Sequence, residues 1–100
     1  MSSPGLKVQF EPDARIDAEA IDAWRRENRA AAPSLFRDEL ERWVGTVAMN
    51  PNIGRVVRER ITRRVLLPRT RYHLYFRVDA NTLVIVAIWH AARGSGPERR

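Results

Sequence analysis

Residues 63–78 read RRVLLPRTRYHLYFRV. Pro68, Arg69 and Thr70 separate two apolar runs, and a proline opening a short polar stretch is a turn signal, so the runs are expected to pair as a β-hairpin. Its first strand is expected over Ile61–Leu67 and its second over Tyr72–Asp79. Side chains alternate along a strand, so Tyr72, Leu74, Phe76 and Val78 share one face, and His73, Tyr75, Arg77 and Asp79 the other. The arginines that interrupt this hairpin are either a solvated face or a surface for an anionic partner.

Downstream, Ala80-Asn81 is a tight turn and TLVIVAIWH, Thr82–His90, is a third strand. It is apolar on both faces, which places it inside the sheet. Upstream, Asn50, Pro51 and Gly54 end a helical region. There Phe36, Leu40, Trp43, Val44 and Val47 recur at helical spacing behind Ser34, a candidate cap. Ile16, Ala20, Ala23 and Trp24 form the stripe of an earlier helix, expected from Pro12-Asp13 to about Ala30 and separated by Pro33 from the second. Acidic Asp13, Asp17 and Glu19 suit the positive end of its dipole. Leu6, Val8 and Phe10 alternate with polar residues as a first strand. The expected fold is α+β, in the order β-α-α-β-β-β, with a helical hairpin packed on one face of a small, mostly antiparallel sheet. Residues 1–94 form the single domain and 95–100, rich in Gly, Pro and charge, a disordered tail.

The chain has 100 residues, 44% of them hydrophobic, enough for one core. It has no cysteine, which excludes disulfides and cysteine-based zinc sites and fits a reducing cytoplasm. Two histidines without cysteine make no metal-ligand set, and no cofactor is expected. The apolar run Thr82–Ala92 is far shorter than the roughly 20 residues of a membrane helix, and MSSPGLKVQF lacks a signal core. Net charge is +6, unevenly spread. Residues 1–54 hold seven basic and nine acidic side chains, and 78–100 hold three and two; residues 55–77 hold eight arginines against Glu59 alone. A solvated surface normally mixes signs. Arginine's planar fork suits phosphate and carboxylate, so this segment is expected to meet an anionic partner.

Several residues in this order resemble the RelE/ParE superfamily, toxins of bacterial type II toxin–antitoxin systems. They are Trp24, Asn28-Arg29 and Pro33; Asn50-Pro51 and Gly54-Arg55; RRVLLPRTRYHLYFRVD; and the closing WHAARG, Trp89–Gly94. The resemblance spans Leu6–Gly94 and implies one shared fold with two kinds of target. RelE-like toxins cut mRNA in the ribosomal A site with basic residues and usually a late Tyr or His; ParE-like toxins inhibit DNA gyrase. Both are silenced by an antitoxin encoded alongside, so a ParD-like antitoxin and a hetero-oligomer with it are implied. Lys7 is the only lysine and no tyrosine follows the last strand, departures that favour the ParE-like branch. A third reading is a non-toxic half of an autorepressing complex.

For a nuclease, the candidates are His90 as acid or base, Arg71 and Arg93 as phosphate clamps, and Tyr72 or Tyr75 as donor or stacking platform. For target binding they are Arg58, Arg63, Arg64, Arg71, Arg77 and Arg93. His90 can equally be structural or contact the target, and His73 is expected on the solvent face. Trp24, Phe36 and Trp43 are expected in the core between helices and sheet; the other reading places them in an antitoxin groove.

Overall fold

The computed structural model describes residues 5–58 and 62–93. Its elements are β1 (Lys7–Phe10), α1 (Pro12–Asn28), α2 (Leu35–Met49), β2 (Arg55–Arg58), β3 (Thr62–Leu67), β4 (Tyr72–Asp79), β5 (Thr82–His90) and a closing 3-10 turn, Ala91–Arg93. The expected order holds with one addition. The segment RVVR, which reads in sequence as a charge cluster, forms the short strand β2 on the edge of the sheet. The strand order is β1-β5-β4-β3-β2, with β1 parallel to β5 and the other pairs antiparallel. β5 is thus interior, as its two apolar faces require.

Both helices lie on one face of the sheet. Their core with it contains Ala14 of α1, Phe36, Leu40, Val47 and Ala48 of α2, and Val65, Leu67, Leu74, Phe76, Leu83, Ile85 and Ile88 of the strands. On α2 the expected stripe is the buried one. On α1 it is not: Ile16 and Trp24 are 62% and 49% exposed, and Ala20 and Ala23 are exposed too. The stripe facing the core is Ala14, Ala18 and Ile21. Alanines let α1 lie close to the sheet, and the larger side chains are left on the flank.

Register decides which face each strand residue joins. Tyr75 pairs with Ala87 but Phe76 pairs with Ile85, so Val86 is an extra residue in β5, a β-bulge. Before it Leu83 and Ile85 face the helices; after it Ile88 and His90 do. Simple alternation from Leu83 would have turned His90 to the opposite face. The connection from α2 to β2 is closed by Gly54, whose φ of 88° suits glycine. A Cβ there would lie 2.5 Å from the Arg64 carbonyl oxygen and 2.8 Å from Val65 Cγ1. The expected disordered tail lies outside the described residues, as does Ile61.

Candidate functional site

Three surfaces carry the residues singled out by sequence. The first is a groove between α1 and the end of β5. β1 covers β5 only as far as Ile85, where the Glu11 N–H donates to the Ile85 carbonyl at 2.9 Å. Beyond that point α1 runs alongside the strand, and the Ile88 N–H donates to the Asp17 carboxylate at 3.2 Å. The groove encloses about 490 Å³ and is lined by Ala20, Ile21 and Trp24 of α1 and by Tyr72, Ile88 and His90. Trp24 forms its outer wall, with the Arg29 guanidinium 5.3 Å from its ring centroid, a cation–π distance. Phe36, by contrast, is 1% exposed and meets the edge of Tyr72 at 5.4 Å, so no partner can reach it. Trp43 is half-buried against the core. Of the three aromatic residues expected either in the core or in an antitoxin groove, only Trp24 lines this groove.

The second surface is the basic end of the sheet, where the β3–β4 turn meets the end of β5. The Arg71 N–H donates to Leu67 at 2.8 Å, and Arg71 has a φ of 69°, left-handed and uncommon for this residue type. Its carbonyl in turn accepts from the Ala91 N–H at 2.8 Å, tying the turn to residues 91–93. Arg69 and Arg71 are exposed, and neither has an ion pair among the described residues. Two neighbouring backbone amides of this turn, those of Arg69 and Thr70, donate to the buried carboxylate of Glu39 at 2.7 and 2.9 Å, and the Thr70 hydroxyl does so at 2.6 Å. Sequence reading passed over Glu39, yet a signal existed. It is three residues after Phe36 and four before Trp43, a carboxylate set inside a buried arc, where an ionised group needs dedicated partners.

His90 sits at this end on the helix side. Its ring meets Tyr72 edge-on at 5.0 Å, and its Nδ1 accepts from the Ala92 N–H at 3.1 Å. That contact fixes the neutral tautomer with the proton on Nε2.

The third surface is the sheet face away from the helices. Arg55, Arg64, Tyr75 and Ala87 form one row across it, and His73 and Trp89 are paired in the next. Tyr75 is buried, yet among the described residues its hydroxyl has no hydrogen-bond partner, and neither has His73 Nδ1. Burial, and then the positive charge of Arg64 and Arg71, hold the His73 pKa below its ordinary 6.5. His73 is therefore half-buried rather than solvated, and neutral at pH 7.

The arginines named for target binding do not form one face. Arg63 pairs with Phe76, which turns it to the helix side, where its guanidinium donates to the Asn52 and Gly54 carbonyls at 3.1 and 3.4 Å. It holds the α2–β2 connection. Arg77 is on the face away from the helices but is paired with Glu11 at 3.2 Å. Arg64 and Arg71 come together around His73. Arg58 and Arg93 fall in β2 and the closing turn, and their side chains lie outside the described part of the structure. Among the described residues, no helix is long and apolar enough to cross a membrane, and no group of three or more His, Cys, Asp and Glu could hold a metal ion.

Comparison with known proteins gives one family. The family model described as "ParE toxin of type II toxin-antitoxin system, parDE" matches residues 8–94. Among solved structures, the chromosomal ParDE toxin–antitoxin system of P. aeruginosa is similar, with a TM-score of 0.63 and 20% identity over 88% of this chain and 98% of that one. The RelBE2 toxin–antitoxin complex of Mycobacterium tuberculosis aligns with a TM-score of 0.61 and 24% identity, over 86% of this chain and 98% of that one. These identities speak for the fold. A search of curated proteins found no match.

Proposed function

We propose, for a chain that belongs to the ParE toxin family of type II toxin–antitoxin systems, that it is a stoichiometric inhibitor of DNA gyrase held silent by a ParD-like antitoxin. In this reading the protein is a binding module. Its basic end and the adjoining arginine-bearing sheet face, with Arg55, Arg64, Arg69 and Arg71, dock on gyrase. The antitoxin fills the groove beside Trp24, where an exposed apolar wall and a strand edge left uncovered by β1 suit a segment that folds on contact.

The state of His90 carries this reading over mRNA cleavage. A nuclease of the RelE kind must remove the proton of a ribose 2′-hydroxyl, which needs a lone pair within reach. With Nδ1 engaged by the Ala92 N–H and Nε2 protonated, neutral His90 offers a donor and no lone pair. Protonation to serve as a general acid would set two N–H groups against each other.

The test is supercoiling by purified gyrase with the folded protein titrated in. Inhibition is expected at protein concentrations comparable to that of gyrase, and His90→Ala is expected to weaken it less than tenfold, about 1.4 kcal/mol or less. Unimpaired supercoiling by a protein that still arrests growth, together with His90-dependent cutting of mRNA on ribosomes, would transfer the reading to a RelE-like endoribonuclease.

A further inference from the structure

We infer that Glu39 is the positioning residue of the basic end, an internal anion that holds the Pro68–Arg71 turn so that Arg69 and Arg71 are presented uncompensated to an anionic partner surface. The inference rests on the docking role proposed above for that end.

The geometry is specific to the main chain. Glu39 Oε2 accepts from the Arg69 amide, and Oε1 accepts from the Thr70 amide and hydroxyl. Successive backbone N–H groups in a turn make a concavity that binds anions. Here the protein's own carboxylate fills it from α2, 30 residues away in sequence. Glu39 and Thr70 are the two buried polar residues of the described structure, at 6% and 4% exposure, so the clamp is shielded from water. A surface carboxylate beside two arginines would ordinarily pair with a guanidinium and reduce their charge. This one is spent on amides instead, and among the described residues no carboxylate pairs with Arg69 or Arg71.

The same turn needs restraint. Arg71 is left-handed with a φ of 69°, a conformation that L residues adopt at a cost. The Arg71 carbonyl then receives the Ala91 N–H, so whatever fixes the turn also fixes the start of the segment that ends in Arg93. The clamp therefore links α2 to both ends of the basic surface by hydrogen bonds.

The experiment compares Glu39→Gln with wild type and with an Arg69→Ala/Arg71→Ala double variant. Glutamine keeps the volume and one acceptor, but sets its own NH2 group against an amide donor. Amide hydrogen exchange at Arg69, Thr70 and Ala91 is expected to quicken at least about tenfold in Glu39→Gln, with the amides of β4 and β5 still protected. Gyrase inhibition is expected to fall about as far as in the arginine double variant. Adding Glu39→Gln to that variant should then cost little more, the non-additivity of groups acting as one unit. A general loss of stability would add instead. If Glu39→Gln does not fold, Thr70→Val removes one of the three donors and is read in the same way, with Thr70→Ser as the variant expected to restore wild-type behaviour. Unchanged exchange at the three amides would overturn the clamp whatever the inhibition. Faster exchange with full inhibition, where the arginine double variant has lost it, would overturn the positioning role. If the arginine double variant inhibits fully, the docking reading fails while the exchange data still decide the clamp.

Discussion

The two helices of the hairpin carry apolar stripes of the same period and put them to opposite uses. On α2, Phe36, Leu40 and Val47 are buried against β3, β4 and β5, and Trp43 and Val44 pack beside them. On α1 the larger apolar side chains, Ile16 and Trp24, are exposed, and the contact with the sheet is made by Ala14, Ala18 and Ile21. The difference follows from what each helix must approach. α1 leaves β1 at Pro12 and crosses over β5 at once, with the Asp17 carboxylate on the Ile88 amide, a closeness that small residues allow. α2 lies over the middle of the sheet, where bulk is needed to fill space. Helical periodicity thus identifies an apolar face, but not whether the face is buried in the core or left exposed.

The sharpest way to break this contrast is to truncate one aromatic residue on each helix. Phe36→Ala empties a fully buried position, with an expected cost of about 3–5 kcal/mol. That is a large part of the roughly 5–15 kcal/mol that holds a domain of this size. Trp24→Ala is expected to cost less than about 1 kcal/mol in urea unfolding, because the ring is half exposed and loses chiefly its contact with Arg29. Its effect should appear in antitoxin affinity, with a loss of about 30-fold or more, as for a central aromatic anchor. Equal destabilisation by the two variants would show that Trp24 is a core residue and that the groove is no docking site.

A second test asks how firmly α2 is tied to the sheet at its exit. Gly54→Ala combines a left-handed backbone with a Cβ driven against the Arg64 carbonyl, and is expected to cost about 2–4 kcal/mol in chemical denaturation. Since Arg63 holds the same connection through the Asn52 and Gly54 carbonyls, the effect should spread to the pairing of β2 with β3. Hydrogen exchange in β2 would detect it. A stability within about 0.5 kcal/mol of wild type, the range of an ordinary surface change, would mean that the connection gives way and that α2 is held by its core face alone.

Much of this was legible in the residues, and the failures have physical causes. Period-two alternation located β1 and β4, the apolar run before Pro68 located β3, and the doubly apolar TLVIVAIWH located the interior strand. β2 was missed because an edge strand of two arginines and two valines has too little periodicity to show above its charge. The face of His90 could not be read because a bulge at Val86 shifts every later residue by one, and no glycine or proline marks it. Arg63 and Arg64 look alike in a charge count, yet adjacent strand positions point to opposite faces, so one braces a loop and the other joins the sheet surface. Glu39 was overlooked because its partners are amides 30 residues away, which no local spacing reveals.

The smallest expected effect separates the two histidines as the aromatic test separates the two helices. His90 has its Nδ1 satisfied by a backbone donor on the helix side, whereas His73 lies on the opposite face near Arg64 and Arg71, its pKa lowered by burial and then by those charges. In the unfolded chain His73 regains its ordinary pKa of 6.5. As pH falls through that value the unfolded state takes up a proton that the folded state still refuses, so stability declines. It stops declining through this residue only below the lowered folded value. Above pH 6.5 both states are neutral and the contribution is level. Urea unfolding between pH 7.5 and pH 5, a range of about one to two units around the ordinary histidine value, should therefore show a steeper acid loss in wild type than in His73→Gln. An identical slope in the two proteins would mean that His73 titrates as it does in water, and that the arginines nearest to it are too well solvated to act as one cationic surface.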